Sequence, residues 1–388
     1  LVDDTHFLSA GIQPEELHGY FLAEETGECI ALFPLLESLR YAIPFKAPSE
    51  TISSLKSFAE RTPATVIVYG DDAEKFGVWP GTYKRCFEER WLEEFLSVLE
   101  QHSAWIDTVF LEEAIKETEP RGVVYPPETS YTEMNEWTVP PPAAGAYRAL
   151  RKKASQDPEL TPALPFIRGP SWRSFRRKYP EIRRLYARAL QISKRVAALP
   201  HDEKGKEARY ELYKGQCNCP YWHGIFGGHY LPHLREAVWK HLLRAEKIAD
   251  ELLPDGPCNA VCIMKTGDFD LDGKEEIFLQ NRDLGVIISA RGAAAVELDL
   301  RPWELNLFSV LSRRPEAYHT QVREALEKLS TEGQHSTEEG TKSIHDLVLI
   351  KDRSVAEALC YDAYEPVSYT HLRAHETRHD LVCRLLLE

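Results

Sequence analysis

The chain has 388 residues and a formal net charge of −14, from 47 Lys and Arg against 61 Asp and Glu. Hydrophobic residues at 43% and charged residues at 28% exclude wholesale disorder, and no apolar run approaches the ~18 residues of a membrane span. The acidic balance also argues against a general nucleic-acid binder, which needs surplus cations, and the length suits two or three domains.

The opening third reads as alternating strands and helices. Thr65-Val66-Ile67-Val68-Tyr69 is a continuous, mostly β-branched run, the pattern of a strand buried on both faces. It ends in Gly70-Asp71-Asp72, and an amphipathic helix is expected over residues 82–102. A second unit follows: a strand at 105–110, a helix to about Thr118, then Gly122-Val123-Val124-Tyr125. Strand, loop, helix, strand is the grammar of a parallel sheet or barrel.

Prolines 126, 127, 140, 141, 142, 158, 162, 165 and 170 punctuate the next stretch and are expected to exclude long elements there. A helical region follows, in which Ile182, Leu185, Tyr186, Ala189, Val196 and Leu199 share one side of a helical wheel. Residues 168–195 carry ten basic side chains against one acid, Glu181. In so acidic a chain this reads as a solvated helix face rather than a nucleic-acid groove.

Pro254-Asp255-Gly256-Pro257 is a clear break. Beyond it, short alternating runs at 260–265, 276–280, 285–289, 295–300 and 346–351 suggest an antiparallel β-sandwich. Residues 330–342 are polar and read as a mobile loop. Residues 367–388 align His371, His375 and His379 at helical spacing. No strand pattern leads into them, and they read as a non-native tail rather than a metal-binding helix. The eight cysteines are scattered, as expected of reduced thiols in a cytoplasmic protein.

Chemistry concentrates in three places. Gly70-Asp71-Asp72-Ala73-Glu74-Lys75-Phe76-Gly77-Val78-Trp79-Pro80 sets three carboxylates and a lysine directly after a buried strand, where barrel enzymes place catalytic side chains. Glycosidic cleavage needs one carboxyl to protonate the leaving oxygen and a second nearby; Trp79 offers a flat face to a sugar ring. Gln216-Cys217-Asn218-Cys219-Pro220-Tyr221-Trp222-His223-Gly224 mixes amides, aromatics and a histidine, a composition suited to a polyhydroxylated ligand. Asp268, Asp270 and Asp272 alternate before Gly273 in a pattern that suits either a solvated hairpin turn or calcium at a sheet edge. The distal Glu and flanking helix pair of an EF-hand are missing from their expected places.

The first two segments resemble glycoside hydrolase family 57, in its 4-α-glucanotransferase and α-amylase branch. The likeness rests on Asp71-Asp72-Ala73-Glu74-Lys75-Phe76-Gly77-Val78-Trp79-Pro80, on the segment from Gln216 through Gly228, and on Tyr230-Leu231-Pro232-His233-Leu234-Arg235. It extends from Leu1-Val2-Asp3-Asp4-Thr5-His6-Phe7 through Ser130-Tyr131-Thr132-Glu133-Met134 and Trp137 to Arg313-Arg314-Pro315-Glu316-Ala317-Tyr318-His319. Ala73 stands where the family usually has Gly, and Cys219 where an acid is common.

The resemblance implies an α/β plus all-β fold. Residues 1–125 would be the C-terminal part of a partial (β/α)7 barrel. Residues 126–253 would be its Pro-rich loops and helical region, and residues 257–366 a β-sandwich domain. It implies a retaining enzyme on α-1,4-glucans, a 4-α-glucanotransferase or alternatively an α-amylase; a non-catalytic glucan-binding protein is the rival. Asp72 would be the general acid/base, Trp79 and Trp222 sugar platforms, His223 a polar substrate contact, and Asp71 and Glu74 binding groups. The family's early histidine motif and its glutamate nucleophile are expected upstream of Leu1, so the 388-residue chain alone is expected to be inactive. Glu74, two residues from Asp72, is not expected to replace that nucleophile. No cofactor is expected to be required, and a structural Ca²⁺ is compatible with the acidic loop; the partners expected are maltooligosaccharides, with no nucleic acid or membrane, and a homodimer is compatible.

Overall fold

The computed structural model describes residues 1–61, 66–224, 227–257, 261–290, 293–316, 319–320 and 360–362. These form two compact units, one of residues 1–135 with 147–171, the other of 136–146 with 172–388.

In the first unit, β1 (Val2–Asp3) leads into α1 (Asp4–Ser9), whose N-cap Asp3 accepts from the Thr5 amide. A hairpin follows, β2 (Phe21–Glu25) and β3 (Glu28–Leu32), turning at Thr26 and Gly27, both with positive φ, as a tight primed turn requires. β4 (Pro34–Leu35) pairs in parallel with β1, Leu35 bridges Val68 in parallel, and Leu22 bridges Val123 in parallel. The remaining elements are α2 (Glu37–Ala42), α3 (Pro48–Arg61), α4 (Trp91–Gln101) and α5 (Leu111–Glu117). Phe7, Phe21, Leu36, Leu39, Ile43, Trp91 and Val124 form the core between them.

Several sequence expectations change here. The run at 65–69, with Thr65 outside the described residues, contributes a single bridge at Val68, and residues 105–110 form no strand. The helix expected over 82–102 is broken. A π-helical turn at Lys84–Glu88 ends before Arg90, whose φ of 58° is left-handed, and α4 starts after it. Periodicity registers apolar spacing but not a single left-handed residue.

The Pro-rich stretch holds α6 (Asn135–Thr138) and a 16-residue helix, α7 (Pro141–Gln156), against the expectation of no long element. Pro141 and Pro142 open that helix, where their missing N–H groups would be unpaired anyway, and no proline follows until Pro158. A proline cluster therefore starts this helix rather than forbidding it.

The second unit contains α8 (Trp172–Lys178), α9 (Pro180–Ala197), α10 (Glu203–Gly215) and α11 (Pro232–Leu252). As the spacing predicts, α9 buries Ile182, Leu185, Ala189 and Val196, joined by Ile192. At the end of α10, Gly215 lets α11 approach closely: a Cβ there would lie 2.6 Å from Leu242 Cδ2. Five strands follow as an antiparallel meander among the described residues: β5 (Ile263–Gly267), β6 (Glu276–Gln280), β7 (Leu284–Ser289), β8 (Ala294–Leu300) and β9 (Leu305–Asn306). Four of the five expected runs are thus strands. The fifth, at 346–351, lies outside the described residues, as do the loop at 330–342 and the stretch 367–388.

The break at Pro254 to Pro257 separates helices from strands in sequence but not in space. Phe278, Ile287 and Glu297 are aligned across β6, β7 and β8 and are all buried. Arg188 of α9 lies over the Phe278 ring and donates to Glu297 at 2.7 Å and Glu246 at 2.9 Å. Burial works against its charge, but Glu246, Glu297 and Asp299 outweigh it and raise its pKa. Arg301 completes the network through Glu246, at 2.9 Å, and Asp250. The basic stripe is therefore only partly a solvated face: Arg173, Arg177 and Lys194 are exposed, but Arg188 is buried, Arg195 pairs with Asp250 and Asp255, and Arg183 with Asp270.

Candidate functional site

Residues 66–72 leave the first unit's core and deliver Asp71 and Asp72 to a 3-10 turn, Ala73–Phe76. Gly77, with φ of 139°, ends the turn, and the Glu74 carbonyl accepts from Val78 at 2.9 Å and Trp79 at 3.1 Å. Ala73 sits inside the turn, so its replacement of the usual Gly meets no left-handed requirement.

The Asp71 side chain is only 1% exposed. Four groups hold it: the Lys75 ammonium, the Asp72 amide at 2.9 Å, the Tyr69 hydroxyl at 3.3 Å and, more distantly, Arg40 at 3.6 Å. Lys75 also donates to the Arg40 carbonyl at 2.7 Å, and Arg40 reaches Asp3 at 3.6 Å. Sequence reasoning missed Asp3 and Arg40. Their only signal was an Asp beside a strand end and an Arg in a short helix, neither of which announces a partner 31 to 37 residues away.

Asp72 differs from its neighbour. It is exposed, occupies the N-cap position and makes no capping hydrogen bond with its side chain. Enough protein surrounds it that desolvation, then the Asp71 charge, raises its pKa; Arg40 and Lys75 pull the other way. A solvent-reachable carboxyl with a raised pKa, beside a fixed negative charge, is equipped to hold and release a proton. Glu74 is exposed too. It follows within the 3-10 turn, so the chain between it and Asp72 is not the extended one that would put them on opposite sides. Trp79 is half-buried, stacked on Phe45 at 6.3 Å with Lys75 over its ring at 5.3 Å.

The second segment lies in the other unit. Cys219–Tyr221 is a 3-10 turn that leads into Trp222 and His223. Trp222 packs on Phe175 at 4.8 Å and edge-on to Trp137 and Trp172. His223 is buried against Trp137 at 4.6 Å, with its Nδ1 3.2 Å from the Tyr230 hydroxyl. Burial, then Lys178 and His319, pushes its pKa down to about 3, so it is neutral at ordinary pH. Tyr230 donates in turn to Glu316 at 3.1 Å, and Tyr179 and Lys178 bond the same carboxyl. Burial raises Glu316 to about 7. Gly228 closes the segment: a Cβ there would lie 2.4 Å from the Trp222 carbonyl, and φ is +51°.

The expected acidic triplet is regrouped. Asp268, Asp270 and Glu276 have ligand oxygens within 4.8 Å of one another; the third member is Glu276 rather than Asp272. Asp272 instead accepts from the Lys274 amide at 2.9 Å and lies 4.0 Å from Arg183. The pleat brings Glu276, at the start of β6, back to the loop, where it accepts from Phe269 N at 2.8 Å.

Residues 1–127 match the model described as glycosyl hydrolase family 57. Residues 170–249 and 268–382 match the middle and C-terminal domains of the α-amylase/4-α-glucanotransferase models. Residues 1–127 belong to glycosyl hydrolase family 57. The last of these matches overlaps most of the stretch 367–388 read above as a tail.

Among its relatives, the chain is 37% identical to α-amylase 1 of Dictyoglomus thermophilum, over 95% of this chain and 52% of that protein. It is 38% identical to a 4-α-glucanotransferase of Thermococcus litoralis, over 93% of this chain and 51% of that protein. The crystal structure of the 4-α-glucanotransferase from Thermococcus litoralis superposes with a TM-score of 0.70 at 38% identity, covering 82% of this chain and 47% of the other. The chain thus spans about half the length of the curated relatives it matches. Among the described residues, no helix is long and apolar enough to cross a membrane.

Proposed function

We propose that this chain supplies the acid/base half of a retaining enzyme on α-1,4-glucans, a 4-α-glucanotransferase working by double displacement. The carrying observation is Asp72: an exposed carboxyl, uncommitted to capping, with its pKa raised by desolvation and by the immobilised Asp71. Asp72 protonates the leaving glycosidic oxygen while a glutamate carboxylate attacks the anomeric carbon. It then takes the proton of the acceptor hydroxyl as that oxygen displaces the glutamate. With a sugar acceptor the enzyme is a transferase; with water it is an α-amylase. In this reading the attacking glutamate comes from outside these 388 residues.

In this reading Trp79 and Trp222 are sugar platforms, His223 is a neutral polar contact, and Asp71 and Glu74 are positioning and binding groups. The parallel pairings of β1 with β4 and of Leu35 with Val68 support assigning residues 1–125 to a (β/α)7 barrel. The five-stranded meander supports a β-sandwich over residues 257–366. Free thiols at Cys29, Cys86, Cys217, Cys219, Cys262 and Cys360 suit the cytoplasm.

The test uses maltotriose with two proteins: the 388-residue chain, and the same chain fused behind the unmatched portion of the Thermococcus litoralis relative. The chain alone is expected to be silent. The fusion is expected to release glucose and longer maltodextrins, and Asp72→Asn in it should lose roughly 10²–10⁴-fold in rate. Turnover by the chain alone, or an Asp72→Asn fusion as fast as its parent, would overturn the reading. A folded fusion that binds maltotriose without turnover would favour a glucan-binding protein.

A further inference from the structure

We propose that Asp268, Asp270 and Glu276 form a Ca²⁺ site where the loop after β5 meets the start of β6. Their oxygens lie within 4.8 Å of one another. Oxygens sharing one ion at Ca–O distances of about 2.3–2.6 Å span at most roughly 5 Å, so one ion reaches all three side chains.

An acidic cluster alone would say little, since such loops are common without metal. The deciding observation is Asp270. It is 8% exposed, and its Oδ1 is buried with no hydrogen-bond partner. Its other oxygen accepts from Arg183 at 3.1 Å. A buried carboxylate oxygen with no donor is costly, and a cation removes that cost where no N–H is within reach. The other two ligands are already aimed by backbone amides. Asp268 accepts from Asp272 N at 3.0 Å and Gly273 N at 2.9 Å, and Glu276 from Phe269 N at 2.8 Å. Each of those oxygens keeps a further lone pair for an ion.

Charge points the same way. Asp268, Asp270, Asp272 and Glu276 act on one another here, against the two guanidinium groups of Arg183 and Arg184. Four negative charges against two positive leave a deficit that one divalent ion fills. An all-oxygen set on an irregular loop favours Ca²⁺ over Mg²⁺, which demands near-octahedral order and keeps its waters.

The experiment is calorimetric titration of CaCl2 into the EDTA-stripped full chain, with melting followed in parallel and MgCl2 as a second arm. Wild type should bind one Ca²⁺ per chain, melt higher with it, and respond weakly to Mg²⁺. Asp268→Asn, at an exposed side chain, should weaken binding at least about tenfold, and so should Asp270→Asn. Asp272→Asn, which removes a nearby charge but no ligand, should lose far less than either. No saturable Ca²⁺ binding, wild-type affinity in Asp268→Asn, or a loss in Asp272→Asn as large as in the others would overturn the site.

Discussion

The Lys75 ammonium is bonded to the Asp71 carboxylate, the residue immediately before Asp72, and both side chains are almost wholly buried. A flexible acid is thereby made into a fixed negative charge at the root of an exposed one. Asp71 raises the pKa of Asp72, whereas Lys75 lowers it.

Removing the Asp71 charge should therefore let Asp72 ionise more easily. In Asp71→Asn, the Asp72 pKa followed by carboxyl-carbon NMR should fall toward the ordinary carboxylate range. In Lys75→Met it should rise further. No movement in Asp71→Asn would show that the Asp71 charge does not reach Asp72.

Arg188 joins the helices to the sheet by charge. Arg188→Met leaves Glu246 and Glu297 buried without their main donor. Loss of one partner of a buried ion pair costs about 3–5 kcal/mol, and denaturant unfolding should register a destabilisation of that order. A loss below about 1 kcal/mol would mean that the carboxylates simply take up protons.

His223 couples stability to pH. Its folded pKa of about 3 lies below its unfolded value, so the unfolded chain binds the proton first as pH falls. Stability from this group is complete above about pH 6.5 and is lost as pH drops toward 3. Glu316, raised to about 7, acts in the opposite sense between about 4.5 and 7, because the folded state holds that proton more tightly. The useful quantity is thus the melting temperature of wild type minus that of His223→Gln. It should shrink steadily from pH 7 to pH 4, and a flat difference would refute the assignment.

Gly228→Ala tests the backbone crossing beneath His223. The added Cβ meets the Trp222 carbonyl at 2.4 Å and the His223 carbonyl carbon at 3.0 Å, both main-chain atoms that cannot swing aside. A loss of about 1–3 kcal/mol is expected from melting, with Gly27→Ala as a control, since its Cβ would meet nothing although φ is also positive. Equal losses in the two variants would assign the effect to backbone strain rather than to the crossing.

Much of this protein was legible in local pattern. The buried stripe of α9, the strands β6 to β8 and the acidic motif at Asp71 and Asp72 all follow from spacing, because a helical or pleated period repeats within a few residues. The misreadings share a cause too. The helix expected over 82–102 is interrupted by one left-handed residue, Arg90, and the prolines at 141 and 142 open a helix because of where they fall in it.

What only the tertiary structure decided is which charges meet. Arg188 finds Glu297 109 residues away, and Asp3 finds Arg40, which reaches Asp71. Glu276 takes the place that alternation had given to Asp272. Periodicity assigns a side chain to a face, but an ion pair depends on which other face packs against it. The sequence by itself therefore determined the family, the motifs and most of the elements. Packing decided that Arg188 of a basic stripe is buried among carboxylates, and that one aspartate of an adjacent pair is locked while the other stays exposed.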